Sequence, residues 1–274
     1  MKEPHPHTTT NEQGDTLTYW DDEVRYPPHI DKENPPDTTG KSLPSPPVAD
    51  VNLEVPFIHQ LWDTPNWFDG HWACGPTSAA MIVSYYGLLE PIPITVKSPF
   101  PHTTQYGWYV ANDFTHNNYR FDRIAQTPRG PAQGFYGTAV SKVANLGWVA
   151  VSEGQTAKGL HIGMLPLLRT FMEPLGNSVR HSPPDEQIAK ESLDNGHPVI
   201  ISGQPFGLAG HLMVIRGYYY DPKLKLFGWI MNDPYGYRSD GSSDFDGGNV
   251  VYLWKEIKPK YMYVISGAGQ PPLK

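Results

Sequence analysis

The stretch WACGPTS, residues 72–78, decides how the chain is interpreted. The segment that follows, AAMIVSYY, is almost uninterruptedly apolar, and it predicts a helix over residues 75–86. Pro76 suits the first turn of a helix, where its missing N–H leaves no bond unmade, and Gly87 suits the C-terminal cap. Because this helix is apolar nearly all round, we expect it to lie at the centre of the molecule.

Cys74 is the only cysteine among the 274 residues, and it stands where this helix would begin. The N-terminus of a helix carries unpaired N–H groups and a partial positive charge, which favour the thiolate, the reactive form of cysteine. Cys74 is therefore a candidate nucleophile, which would need a histidine base and a group that orients the histidine. The alternative is an ordinary buried side chain, the commoner role of a lone cysteine.

The composition narrows the classes of protein to consider. The formal net charge of -7 argues against a nucleic-acid partner, because no basic surface is available to neutralise phosphates. A single cysteine excludes an internal disulfide and any zinc site built from several thiolates, and we expect neither a metal nor another cofactor. No apolar run approaches the ~18–20 residues that cross a membrane, so we expect no transmembrane segment.

The chain is predicted to divide into an extension and a domain. Residues 1–50 contain nine prolines and few apolar side chains, a composition typical of a Pro-rich N-terminal extension. The first residues lack the apolar core of a signal peptide. The domain is predicted to cover residues 51–274, beginning with a short strand over residues 53–57.

Helices are predicted first along the domain and strands last. Besides the helix after Cys74, apolar patterns predict helices over residues 135–146, 163–172 and 187–193. The predicted strands of the last third cover residues 198–202, 211–220, 225–232, 250–254 and 261–265. This order is typical of an α+β fold, with a central N-terminal helix packed on an antiparallel sheet.

His211 and Asp233 are predicted to be neighbours across a hairpin. A turn centred near residues 222–223 pairs positions whose numbers sum to about 445, which places Asp233 within one residue of His211. Of the eleven histidines, only His211 begins an apolar strand with a carboxylate returning beside it. The alternative is a histidine at the end of a sheet, satisfied by a turn aspartate.

Four segments in order carry a resemblance to a known family: VPFIHQ, WACGPTSAAMIVSYYG, GHLMVIRGY and NDPYG. Together they resemble the bacteriocin-processing, double-glycine-leader cysteine peptidases, and more closely the stand-alone bacterial members of that family. The four segments span residues 55–236. Residues 1–50 and 88–195 lie outside the match.

The resemblance implies a papain-like cysteine peptidase fold and a set of site residues. Its nucleophile corresponds to Cys74, its base to His211 and its orienting carboxylate to Asp233. The family's glutamine, which helps to hold the oxyanion, corresponds to Gln60, fourteen positions before Cys74. Asn232 is the competing orienting residue, because papain-like enzymes also use asparagine there.

The expected function is hydrolysis of peptide bonds, with a peptide or protein as substrate. Three alternatives use the same residues differently: a peptidoglycan amidase or endopeptidase acting on cell-wall peptides, an acyl or peptidyl transferase, and a catalytically inactive binding module. The resemblance favours a secreted or cell-envelope location. The oligomeric state has no signal in the sequence.

Overall fold

The protein is described here by a computed structural model that covers residues 6–10, 16–20, 49–143, 147–151, 155–157, 160–205, 210–221, 226–236 and 247–269. The helices within these ranges are α1 (Cys74–Tyr85), α2 (Trp108–Ala111), α3 (Gly134–Ala139), α4 (Met164–Met172), α5 (Glu186–Asp194) and α6 (Trp254–Ile257), and a short 3-10 helix (Glu173–Leu175) follows α4.

The strands fall into short N-terminal and middle pairs and a longer C-terminal set. The first group is β1 (Pro6–Thr10), β2 (Thr16–Trp20), β3 (Val51–Asn52), β4 (Ile94–Val96), β5 (His102–Thr104), β6 (Thr115–His116), β7 (Tyr119–Arg120), β8 (Ala125–Thr127), β9 (Gly130–Ala132), β10 (Val140–Val143), β11 (Gly147–Ala150), β12 (Gln155–Ala157) and β13 (Leu160–Ile162). The second group is β14 (Asn177–Ser182), β15 (Val199–Gly203), β16 (His211–Asp221), β17 (Leu226–Asn232), β18 (Val250–Leu253) and β19 (Tyr261–Gly267).

The main sheet is antiparallel, and within the described ranges it has seven strands. Six of them run in the order β14-β19-β15-β16-β17-β18, and β3 pairs with β16 beyond the end of β15. The remaining strands pair two by two. Helices therefore occur together with an antiparallel sheet, which confirms the predicted α+β class.

Helix α1 packs on the inner face of this sheet. Its residues from Gly75 to Ser84 are buried, and the Ser78 hydroxyl donates to the backbone oxygen of Leu212 in β16 at 3.3 Å. A Cβ on Gly75 would lie 3.0 Å from Leu212 Cδ1, so helix and strand are in close contact at the start of α1. An all-apolar helix fits such a position because it has no face that prefers water.

The two faces of β16 belong to different parts of the core. Leu212 and Val214 pack in the cluster that contains α1, whereas Met213 and Ile215 pack in a second cluster that contains Trp229 and residues of α5. This alternation is the period of a strand buried on both faces. The sheet therefore lies between α1 on one side and α5 on the other.

Two predicted elements differ in the structure. The helix predicted over residues 135–146 is wrong beyond Ala139, because β10 starts at Val140 and pairs with β11. β-Branched side chains favour this extended conformation over a helix. The strand predicted over residues 53–57 is wrong: β3 ends at Asn52 and these residues form no strand, and Pro56 among them has no N–H for a ladder.

Most of the predicted N-terminal extension lies outside the described residues. Within the extension, β1 and β2 pair with each other. The predicted domain begins with β3, which joins the main sheet through Val51, opposite Tyr218. The division into residues 1–50 and 51–274 stays a prediction. No helix in the described ranges combines the length and apolar character that crossing a membrane requires.

Candidate active site

Cys74 is the first residue of α1 and is half-buried. The residue before it, Ala73, offers no side-chain cap, and the first turn of α1 carries no acidic residue. The backbone N–H groups of this turn therefore face no competing carboxylate. A negative charge at this end of a helix is stabilised by the helix dipole.

His211 is the first residue of β16, directly after Gly210, which has the left-handed φ of 70°. Its neighbour in β15 is Gly203, which has no side chain to cover the imidazole. The imidazole is 5% exposed, and its Nε2 lies 2.6 Å from Oδ1 of Asp233. The structure thus brings these two predicted residues into direct contact.

Asp233 follows the last residue of β17 and is fully buried. Its Oδ1 accepts from His211 Nε2 and from the backbone N–H of Tyr235 at 2.9 Å, and its Oδ2 accepts from the Tyr252 hydroxyl at 3.0 Å. Buried carboxylates are tolerated only when hydrogen bonds replace their lost hydration, and Asp233 has three.

The ladder that leads to this contact ends just before it. Val214 pairs with Asn232, so the position numbers sum to 446, one more than predicted. A bulge between Ile215 and Gly217 shifts the register once more toward the hairpin end. Asp233 therefore meets His211 from the turn beyond the strand and not from a ladder pair.

Three influences act on the pKa of His211: one lowers it and two raise it. Burial, the largest, lowers the pKa of His211, because an imidazolium loses its hydration. The charge and hydrogen bond of Asp233, followed by the hydrogen bond and charge of Cys74, act in the opposite direction. Their sum raises the pKa of His211 from 6.5 to about 10, so the ring is protonated at neutral pH. Since Asp233 takes Nε2, Nδ1 is the nitrogen left for the thiol.

Asn232, the competing orienting residue, points elsewhere. Its Nδ2 donates to the backbone oxygens of Val55 at 3.0 Å and Pro56 at 3.3 Å, and its Oδ1 accepts from the backbone N–H of Asn249 at 3.2 Å. The side chain therefore binds the segment that precedes Gln60 to the sheet. In the described residues Asp233, and not Asn232, holds the imidazole of His211.

Gln60 braces the loop that precedes the cysteine. It is fully buried, and its Nε2 donates to the backbone oxygens of Gly70 at 2.7 Å and His71 at 3.0 Å. The Gly70 oxygen also accepts from Ala73 N–H at 2.9 Å, which closes the turn leading to Cys74. The Gln60 Oε1 atom is buried and has no hydrogen-bond partner among the described residues.

A second aspartate–histidine pair lies beside this site. His71 Nδ1 is 2.6 Å from Asp69 Oδ1, and the rings of His71 and His211 each lie 6.4 Å from the ring of Tyr235. Asp69 and His71 line a cavity of about 130 Å³, together with Leu61, Trp62, Phe68 and Arg129 among others. Its lining includes residues of the loop between Gln60 and Cys74, but none of Cys74, His211 and Asp233.

Two tryptophans of this loop face solvent near the cysteine. Trp67 is 45% exposed and Trp72 is 41% exposed, whereas most large apolar side chains in the described ranges are buried. Trp72 is only two positions before Cys74. The loop that leads to Cys74 therefore exposes two aromatic side chains.

Sequence reasoning missed two of these neighbours. Tyr252 was not identified because its contact with Asp233 depends on how β18 pairs with β17, and no turn signal fixes that register. The Asp69–His71 pair does have a local signal: the two residues are two positions apart, and the His71 N–H donates to Asp69 Oδ1 at 3.1 Å.

The described residues contain no group of three or more His, Cys, Asp or Glu side chains placed to hold a metal ion. The polar groups at Cys74 are suited to proton transfer and nucleophilic attack: a thiol at a helix N-terminus, a protonated imidazole and a buried carboxylate.

Comparison with known proteins gave one match. Searches of curated proteins and of solved structures found no match to this chain. The model of the Peptidase_C39 like family matches residues 52–261, which is well over half of the chain and includes each of the four predicted site residues. The chain therefore belongs to the Peptidase_C39 like family, a family of peptidases.

Proposed function

We propose that this chain is a cysteine peptidase of papain-like fold, with Cys74 as nucleophile, His211 as acid and base, and Asp233 as the orienting carboxylate. The observation that carries the proposal is the buried 2.6 Å contact between Asp233 and His211, and Cys74 is near enough to the same imidazole to raise its pKa. Such a chain of three groups is the arrangement that activates a thiol for acyl transfer.

The chemistry follows from the protonated imidazole. Cys74 as thiolate attacks the carbonyl carbon of a peptide bond, so a C–S bond forms and the carbonyl π electrons move to oxygen. His211 then donates its proton to the leaving amine as the C–N bond breaks. In the second half, a water molecule gives its proton to His211, attacks the thioester and releases the acid, which regenerates the thiolate.

The oxyanion is assigned to the backbone N–H of Cys74 and the side-chain amide of Gln60. The Gln60 Nε2 donates to two backbone oxygens. It can also donate to the oxyanion when both backbone oxygens accept the same amide proton and the second proton is left for the substrate. A single donor of this kind is worth about 3–4 kcal/mol in the transition state.

The finer substrate assignment is a peptide cleaved after a double-glycine motif, as in the bacteriocin-processing enzymes that the sequence resembles. A second substrate is favoured by a specific observation, the exposure of Trp67 and Trp72 in the loop that leads to Cys74. A tryptophan ring can stack on the apolar face of a sugar ring, and a peptide attached to cell-wall sugars carries such rings. The second candidate is therefore a peptidoglycan amidase or endopeptidase with the same catalytic groups.

The test compares the wild type with Cys74→Ala on two substrates: peptides with and without a double-glycine motif, and purified peptidoglycan. Released amines are measured, and unfolding curves verify that both proteins are folded. We expect release by the wild type and none by Cys74→Ala. Release from peptidoglycan alone would favour the second candidate, and activity that survives in Cys74→Ala would refute the mechanism.

Iodoacetamide separates an enzyme from an inactive binding module. Because Cys74 is the only cysteine, total alkylation reports on this one thiol. We expect Cys74 to react well below pH 8. Reaction only above about pH 8, as for a free thiol, would leave the binding module as the better description.

A further inference from the structure

Tyr252 contacts the carboxylate on the side away from His211. Its hydroxyl donates to Asp233 Oδ2 at 3.0 Å, and both residues are buried, Tyr252 at 1% and Asp233 at 0% exposure. Within the described ranges this is the one hydrogen bond that Oδ2 accepts, whereas Oδ1 accepts both His211 Nε2 and the Tyr235 N–H.

The fold fixes where this hydroxyl lies. Tyr252 stands opposite Trp229 in the β17–β18 ladder, and both side chains pack in the second core cluster, the one that contains residues of α5. Asp233 is the residue directly after β17, so the edge strand β18 carries the hydroxyl to the far side of the carboxylate. The ring of Tyr252 has no freedom to leave without disturbing this cluster.

We propose that Tyr252 is a positioning residue that acts on the charge of Asp233: its hydroxyl draws the negative charge of the carboxylate toward Oδ2, away from His211, and thereby sets the pH range in which Cys74 reacts. The inference rests on the proposed function, since it assumes that His211 and Cys74 act as a pair. Tyr252 acts through the Asp233 carboxylate, to which its hydroxyl donates.

The direction of the effect follows from electrostatics. The hydroxyl points the positive end of its dipole at Oδ2, so it stabilises the carboxylate as an anion. Without it Oδ2 is a buried, unpartnered charge, and the proton affinity of the carboxylate rises. The potential at His211 becomes more negative as well, so the imidazolium keeps its proton to higher pH.

The experiment is the rate of Cys74 alkylation by iodoacetamide against pH, in the wild type and in Tyr252→Phe. An ion-paired thiolate gives a profile in two steps, and the upper step marks loss of the imidazolium proton. In Tyr252→Phe we expect this upper step to move to higher pH by about half a unit or more. A role limited to packing would lower stability without moving the step.

Tyr86→Phe is the matched control. Tyr86 is 2% exposed, and its hydroxyl lies 2.7 Å from His197 Nδ1, so this variant also loses one buried tyrosine hydrogen bond. It stands twelve positions after Cys74, about 18 Å along the helix axis. We expect the wild-type profile in this variant.

A double-mutant cycle with Asp233→Asn tests the route of the effect, because the Tyr252→Phe shift should disappear once the carboxylate is gone. The inference is overturned if Tyr252→Phe keeps the wild-type profile, moves the step downward, shares its shift with Tyr86→Phe, or shifts equally in the Asp233→Asn background. If Cys74 of the wild-type protein reacts with the pH profile of a free thiol, the proposed function and this inference are both overturned. An unchanged two-step profile in Tyr252→Phe would overturn the inference alone.

Discussion

The contact between His211 and Asp233 makes the stability of the protein depend on pH in a defined direction. We consider Asp233→Asn, in which the side chain keeps its shape and an oxygen that can accept from His211 Nε2, but loses its charge. In the wild type the pKa of His211 is raised from 6.5 to about 10. A group with a raised pKa contributes stability that is complete below pH 6.5 and is lost as the pH rises toward 10.

The size of the effect is bounded by one proton. Between pH 6.5 and 10 the native state holds a proton on His211 that the unfolded state has released, so the free energy of unfolding falls by at most about 1.4 kcal/mol per pH unit. In Asp233→Asn the charge and the charged hydrogen bond are gone, so His211 releases its proton at lower pH. We expect a shallower slope, and at pH 6 a loss of up to about 3–5 kcal/mol relative to the wild type.

Urea unfolding at pH 6, 7, 8, 9 and 10, followed by tryptophan fluorescence, measures both slopes. The two proteins differ only at position 233, so the difference between the two curves isolates the charge of Asp233. The two curves should converge as the pH approaches 10. Parallel curves over this whole range would refute the reasoning, because they would mean that Asp233 does not control the proton of His211.

Two further substitutions test how the loop before the cysteine is held. Asn232→Ala removes the donor to the carbonyls that precede Gln60 and leaves them unpaired, so we expect a loss of about 1–3 kcal/mol in urea unfolding; an unchanged midpoint would contradict this. Gly70→Ala places a Cβ 1.8 Å from the Gln60 backbone oxygen, so the loop must move. We expect alkylation of Cys74 at pH 6 to slow by about tenfold or more, and a wild-type rate would show that the loop does not position the thiol.

The sequence was most informative about features that depend on residues close to one another in the chain. Helix α1 begins one residue before its prediction, at Cys74, because Pro76 and the apolar run are signals carried within a few residues. The neighbour relation of His211 and Asp233 came from the symmetry of a hairpin, which tolerates an error of one position. The exact register was out of reach because the bulge after Ile215 has no sequence signal.

Contacts between distant segments could not be predicted. Gln60 was assigned only through the family resemblance, since spacing says nothing of its contacts with the Gly70 and His71 oxygens. Tyr252 was missed because its strand pairs across a long connection without periodicity. The helix predicted over residues 135–146 is wrong after Ala139, where the β-branched side chains of β10 and its pairing with β11 both favour a strand.

The end of β17 and the turn after it contact both His211 and the segment that contains Gln60. Asp233 faces His211, Asn232 holds the segment before Gln60, and the Pro234 oxygen accepts from the Gln60 N–H at 2.7 Å. An insertion here would displace Asp233 from His211 and at the same time move the loop that leads to Cys74. Efforts to re-engineer specificity should therefore leave this turn intact.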